Sequence, residues 1–173
     1  RVLHLFWGRN KKLSFMKYLT AYSFSKQNPD WEIRVHFPKS PFIGENWADK
    51  TQKGYNFKGA DYFDKLSDIP NLTLHEVDFD EDFDFDTGIP EVFRSDLYRI
   101  KLLGDHGGFW SDFDIIFIRS MNHMDLNTIE NRDSDAVVCC HHGLNRIGFL
   151  VSAPGKPNFF SSIMDLHTYY RDK

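Results

Sequence analysis

Residues 92–120, VFRSDLYRIKLLGDHGGFWSDFDIIFIRS, leave little freedom to the chain that contains them. The first half predicts an amphipathic helix. Pro90 suits its opening turn, where a missing N–H costs nothing. Phe93, Leu97 and Ile100 recur on one face, with Val92 and Leu103 beside them, while Arg94, Ser95, Tyr98 and Lys101 supply the solvent face. Gly104 and the pair Gly107 and Gly108 close the helix and permit a tight backbone path. Ile115, Ile116, Phe117 and Ile118 then read as a strand buried on both faces.

Four charged residues break this apolar pattern. Asp96 and Arg99, at i,i+3, sit on the Val92/Leu103 side of the helix, at the edge of the stripe. A charge placed near a core usually has a task. Asp112 and Asp114 are two apart, so in an extended chain they share a face while Phe113 points into the packing. Two carboxylates so placed repel unless a cation or donor network lies between them. Oxygen-only ligands favour Mg²⁺ or Mn²⁺, whose shell is commonly completed by water and substrate phosphate. The bare triplet means little by itself. Residues 78–86 contain four overlapping Asp-x-Asp matches, but no buried strand follows them and the EF-hand spacing is absent; they read as a solvated acidic loop.

Ser95, Asp96 and Arg99, followed by Gly107, Gly108, Phe109, Trp110, Ser111, Asp112, Phe113 and Asp114, resemble the core of the DXD-motif glycosyltransferases. The likeness is to glycosyltransferase family 32, with the glucosylating domains of clostridial toxins as more distant relatives. The resemblance implies an α/β fold: a GT-A-like, Rossmann-type nucleotide-sugar-binding domain with a mostly parallel central sheet flanked by helices. It also implies transfer of a hexose from a UDP- or GDP-sugar to a glycan or glycoprotein acceptor, with Mn²⁺ or Mg²⁺ and retention of configuration. By the same resemblance Asp114 is the direct metal ligand, and Asp112 reaches the ribose and touches metal through water. Asp96 accepts from sugar hydroxyls, Arg99 holds Asp96 near the sugar or diphosphate, and Trp7 stacks on the base. Asn145 is a further candidate contact to the sugar or acceptor.

The rest of the chain is consistent with one domain over residues 1–173. Residues 2–8 predict a buried strand ending at Gly8, which sets Trp7 at a carboxyl end, where α/β sheets bind ligands. His4 reads as a satisfied core histidine. Ser14 caps a predicted helix to about Gln27, with Phe15, Leu19 and Tyr22 at near-helical spacing. Strands are expected over 31–37, 72–77, 136–140 and 148–152, and helices over 60–66 and 157–171. A long connection spans 38–59, with a short helix around 47–53.

Net charge −4 without a basic stripe argues against nucleic acid as a partner, and no apolar run is long enough to span a membrane. Cys139 and Cys140 are adjacent and have no distant partner, which suits a reducing compartment. With His141 and His142 they are too close in sequence to wrap a tetrahedral zinc ion. Asn71, Leu72 and Thr73 form a glycosylation triplet of the kind that arises by chance. A cytoplasmic protein of bacterial or viral origin is the expectation, with the Golgi lumen as the eukaryotic counterpart.

Two other classes compete. One is a non-catalytic sugar-nucleotide or glycan-binding module, favoured by a chain that stops at Lys173 where relatives continue and commonly supply another metal ligand. The other is a metal-dependent nucleotidyltransferase or pyrophosphate hydrolase. Against it stand the lack of a Gly-rich phosphate loop with Lys, and the His4-x-x-Trp7 strand.

Overall fold

A computed structural model describes residues 1–42, 57–81, 90–123, 136–141, 144–152 and 160. Their elements are β1 (Val2–Phe6), α1 (Phe15–Gln27), β2 (Glu32–Pro38), a 3-10 helix (Asp64–Asp68), β3 (Leu72–Val77), α2 (Glu91–His106) and β4 (Gly108–Ser111). A 3-10 turn (Met121–His123), β5 (Ala136–His141) and β6 (Leu144–Ser152) follow. The six strands form one sheet in the order β3-β2-β1-β4-β6-β5. The β1/β2, β2/β3 and β1/β4 pairs are parallel, and β4/β6 and β5/β6 are antiparallel. The expected α/β architecture with a mostly parallel sheet is present, and the antiparallel β4/β6/β5 side is an addition to it.

Alternation along β1 divides the core. Leu3 and Leu5 pack with Phe24, Ile33, Val35 and Phe109 in a cluster that includes Ala21 of α1. Phe6 joins Tyr98, Leu102, Leu103 and Trp110 in a second cluster that includes α2. The sheet therefore lies between two helical layers, the arrangement that covers a parallel sheet on both faces.

Both helices are turned differently from their apolar periodicity. On α1 the buried residues are Thr20, Ala21, Phe24 and Ser25, whereas Phe15 is 48% and Tyr22 40% exposed. On α2 the buried residues are Glu91, Arg94, Tyr98, Arg99, Leu102 and Leu103, and Phe93 is 52% exposed. Polar residues face inward because β2 and the segment after β3 offer them partners: Tyr98 Oη lies 2.7 Å from His36 Nδ1, and the Arg94 guanidinium stacks on Phe79. A hydrogen-bonded phenol and a ring-stacked guanidinium can be buried where bare polar groups cannot.

Residues 115–118 are not a strand. β4 ends at Ser111, and the chain then turns off the sheet through Phe113 and Asp114. Phe117 donates its N–H to Ser23 Oγ and packs on Phe24 of α1, while Ile116 and Ile118 are exposed. The sheet positions beside β4 are held by β1 and β6, so this segment lies over α1.

Several local expectations hold. Ser14 Oγ caps α1 by accepting from Lys17 N–H, and β3 covers Leu72–Val77. Gly107 closes α2 with φ 65°, and Gly108 follows with φ 100°, conformations open to glycine. The Asn71 amide donates to the Asn28 and Trp31 carbonyls and its oxygen accepts from Ser25, so that side chain is committed to the fold. The expected helices over 47–53 and 157–171 lie outside the described residues, apart from residue 160.

Candidate functional site

Arg99 is the centre of the site. It projects from the middle of α2 and is 5% exposed. Its Nη2 lies 2.9 Å from Asp96 Oδ1, one helical turn back, and its Nη1 lies 3.4 Å from Asp112 Oδ1, just beyond β4. Nη1 also donates to the Ile147 carbonyl of β6 at 2.5 Å, and Nη2 to Ser95 Oγ at 3.3 Å. The guanidinium carbon sits 4.9 Å from the Trp110 ring centroid. One planar cation thus ties α2, the end of β4 and β6 together, a task suited to the fixed donor fork of arginine.

Asp112 is held from three sides. Its backbone N–H donates to the Gly148 carbonyl, and the Trp110 indole N–H donates to its Oδ1 at 3.1 Å. Its other oxygen faces Gly148, where a Cβ would stand 3.0 Å away. Burial raises the pKa of Asp112; Arg99 and then Trp110 oppose this, while Asp114 and Asp96 add to it. Burial likewise raises Asp96 against the pull of Arg99. Arg99 brings one positive charge to two partly buried carboxylates, so the cluster is net negative when both are ionised.

Asp114 is exposed and follows Phe113 in the turn. The pair is therefore presented by a turn rather than carried on an extended strand. Trp7 reaches the same turn: its ring lies 5.9 Å from Phe113, edge to face, with Lys17 Nζ 5.3 Å from its centroid. Its indole N–H donates to the Lys11 carbonyl. The structure thus joins Asp96, Arg99 and Asp112 directly, and links Trp7 and Asp114 through Phe113. Asn145 lies in β6 opposite Cys140, with its side chain outside the described atoms.

The motif includes Ser95 and Trp110 without giving them a role, and Ile147 and Gly148 fall outside it. Trp110 stands inside the motif, two residues before Asp112, and that spacing is a usable signal. Ile147 acts through its carbonyl, which no side-chain pattern reveals. In the acidic segment over 78–86, Asp78 pairs with Lys39 and accepts from the N–H groups of Asp80 and Glu81. Its residues 82–86 lie outside the described set.

The donor set fits a hard divalent cation. It consists of carboxylate oxygens, those of the partly buried Asp112 and of the exposed Asp114. Among the described residues no group of three or more His, Cys, Asp or Glu converges. Such a site leaves most of an ion's coordination to water and substrate oxygens, as Mg²⁺ and Mn²⁺ sites commonly do.

Residues 16–134 match the family model described as glycosyltransferase sugar-binding region containing DXD motif. Among solved structures, the PaToxG glycosyltransferase superposes with a TM-score of 0.59 at 17% identity, over 98% of this chain and 60% of that one. The galactosyltransferase LgtC, solved with donor and acceptor sugar analogs, gives a TM-score of 0.44 at 16% identity, over 88% and 57%. This chain spans less than two thirds of either protein. No curated protein matches it in sequence. The likeness to PaToxG concerns the fold, which is of the GT-A type.

Proposed function

The chain belongs to the glycosyltransferases with a DXD-containing sugar-binding region, and from that premise we propose that it moves a hexose from a UDP- or GDP-sugar to a glycan or glycoprotein acceptor, using Mn²⁺ or Mg²⁺ and retaining the anomeric configuration. The observation that carries this reading is Arg99 clamped between Asp96 and Asp112 and nearly excluded from water, with the exposed Asp114 two residues after Asp112.

In this reading Asp114 and Asp112 hold the divalent ion, Asp114 directly and Asp112 through water. A bound ion would neutralise charge developing on the diphosphate leaving group. Asp112, fixed by Trp110 and Arg99, accepts from the ribose. Asp96 accepts from hydroxyls of the donor sugar, and its grip on Arg99 orients it for that. Arg99 itself is nearly enclosed, so its main contribution is to position the two carboxylates. Trp7 offers a ring for the base. Preorganised groups of this kind favour the transition state because they need no rearrangement as charge builds.

Calorimetric titration of UDP and GDP, each with and without Mn²⁺, tests the reading on the wild type and on Asp114→Asn. Metal-dependent binding of one nucleotide, lost in the variant, is the expected result, followed by turnover of the matching sugar nucleotide. Tight binding without turnover of any matching donor would turn the assignment to a binding module. Absence of binding to either nucleotide by folded protein would overturn the donor site.

A further inference from the structure

The apolar stripe of α1 faces outward. Phe15, Leu19 and Tyr22 recur at i, i+4 and i+7, yet Phe15 is 48% and Tyr22 40% exposed, and the adjacent Met16 is 62% exposed. Tyr18 stacks on both Phe15 and Tyr22, with ring planes 21° and 26° apart, and Tyr62 packs beside Phe15 and Tyr18. Charge is distributed just as unevenly. Six of the 21 Lys and Arg fall within residues 1–27, and none of the 25 Asp and Glu does. Lys12 precedes the stripe, and Lys26 lies over the Tyr22 ring at its far end. The 3-10 helix beside α1 adds Asp64, and Asp68 paired with Lys65.

We propose that this face of α1 docks peripherally on an anionic membrane surface. Protruding apolar side chains flanked by lysines, with tyrosines between them, match the headgroup boundary in both hydrophobicity and charge. The ring geometry disfavours a glycan platform. Sugars stack on open ring faces, and here the ring faces of Phe15, Tyr18 and Tyr22 are turned toward one another, with the Lys26 ammonium over Tyr22. No helix among the described residues is long and apolar enough to cross a membrane, so the contact is superficial. Phe15 and Met16 begin α1, and therefore lie at the same edge of the sheet as Trp7 at the end of β1. Docking through this tip would hold the Trp7 edge close to the surface.

Vesicle flotation of the whole chain tests the proposal without reference to catalysis. At about 100 mM salt it is expected to float with phosphatidylcholine vesicles containing about 30 mol% phosphatidylserine, not with phosphatidylcholine alone, and to be released near about 500 mM salt. The exposed pair Phe15→Ser and Met16→Ser should lower partitioning about tenfold with an unchanged melting transition. Lys12→Glu with Lys26→Glu, both at exposed positions, should do the same by reversing charge. Failure of the wild type to float with phosphatidylserine vesicles would overturn the proposal, as would wild-type binding by both folded variants. Capture by immobilised polyglutamate without vesicle binding would assign the face to an acidic polypeptide instead.

Discussion

At the scale of single residues, Arg99 answers to two carboxylates at once. Replacing it with Met leaves Asp96 and Asp112 facing each other without their cation. The expected cost is about 2 kcal/mol in urea denaturation, moderated because both carboxylates retain water, together with loss of metal-dependent nucleotide binding. Arg99→Lys restores charge but not the fork, and should recover stability better than binding. Gly148→Ala is expected to leave the melting temperature within a few degrees while weakening nucleotide binding, because its Cβ would press on Asp112 Oδ2. Calorimetry beside thermal melts separates the two effects. Asp112 also carries a pH signature. Its native pKa is raised, chiefly by burial, so its contribution to stability is greatest below the ordinary aspartate range and is lost as pH rises through the raised value. Metal-dependent binding needs the carboxylate and should grow across the same window. Asp112→Asn should flatten the first trend and abolish the second.

At the scale of elements, α2 is locked onto the sheet by a buried polar chain. Tyr98 Oη meets His36 Nδ1 at 2.7 Å, and His36 Nε2 meets His4 Nδ1 at 3.0 Å. Burial lowers the pKa of His4 to about 4 and that of His36 to about 2. Both are therefore neutral in the fold at pH values where the unfolded chain, near 6.5, takes up protons. Their contribution is complete above pH 6.5 and falls away as pH drops toward the native values. Urea titrations from pH 7.5 to about pH 4.5 should show stability declining with an uptake approaching about two protons on unfolding. Tyr98→Phe should cost about 1–2 kcal/mol at neutral pH by leaving His36 without that partner. This chain also marks where the sequence was readable. The ends of α1 and β3, the start of β1 and the pairing of Arg99 with Asp96 could be read from caps, alternation and motif. The rotation of α2 could not, because it depends on His36, sixty-two positions from Tyr98. On α1 the same periodicity pointed to the wrong side. An apolar stripe shows that a helix is two-faced, and only its neighbours decide which face is covered. Residues 115–118 misled for a similar reason, since four apolar residues form a strand only where a sheet edge awaits them.

At the scale of the molecule, the parallel pairs β1/β2, β2/β3 and β1/β4 on one side and the antiparallel β4/β6/β5 on the other meet at a strand of four residues. The family resemblance implied a mostly parallel sheet, which made the first half legible. The antiparallel half was not, because nothing local in β4 names its partners. Its position also orders events during synthesis. As the chain leaves the ribosome, β1, β2 and β3 can assemble early, but β4 has only one neighbour until β6 emerges, more than thirty residues later. The Ile147 carbonyl that receives Arg99 and the Gly148 carbonyl that receives Asp112 arrive on that same late strand. Nascent chains stalled before Leu144 should therefore remain open to protease around β4 and bind no nucleotide, and proteolysis of ribosome-bound chains of increasing length checks this. Competence at the carboxylate cluster therefore waits on β6, and a polypeptide ended before that strand is expected to lack it.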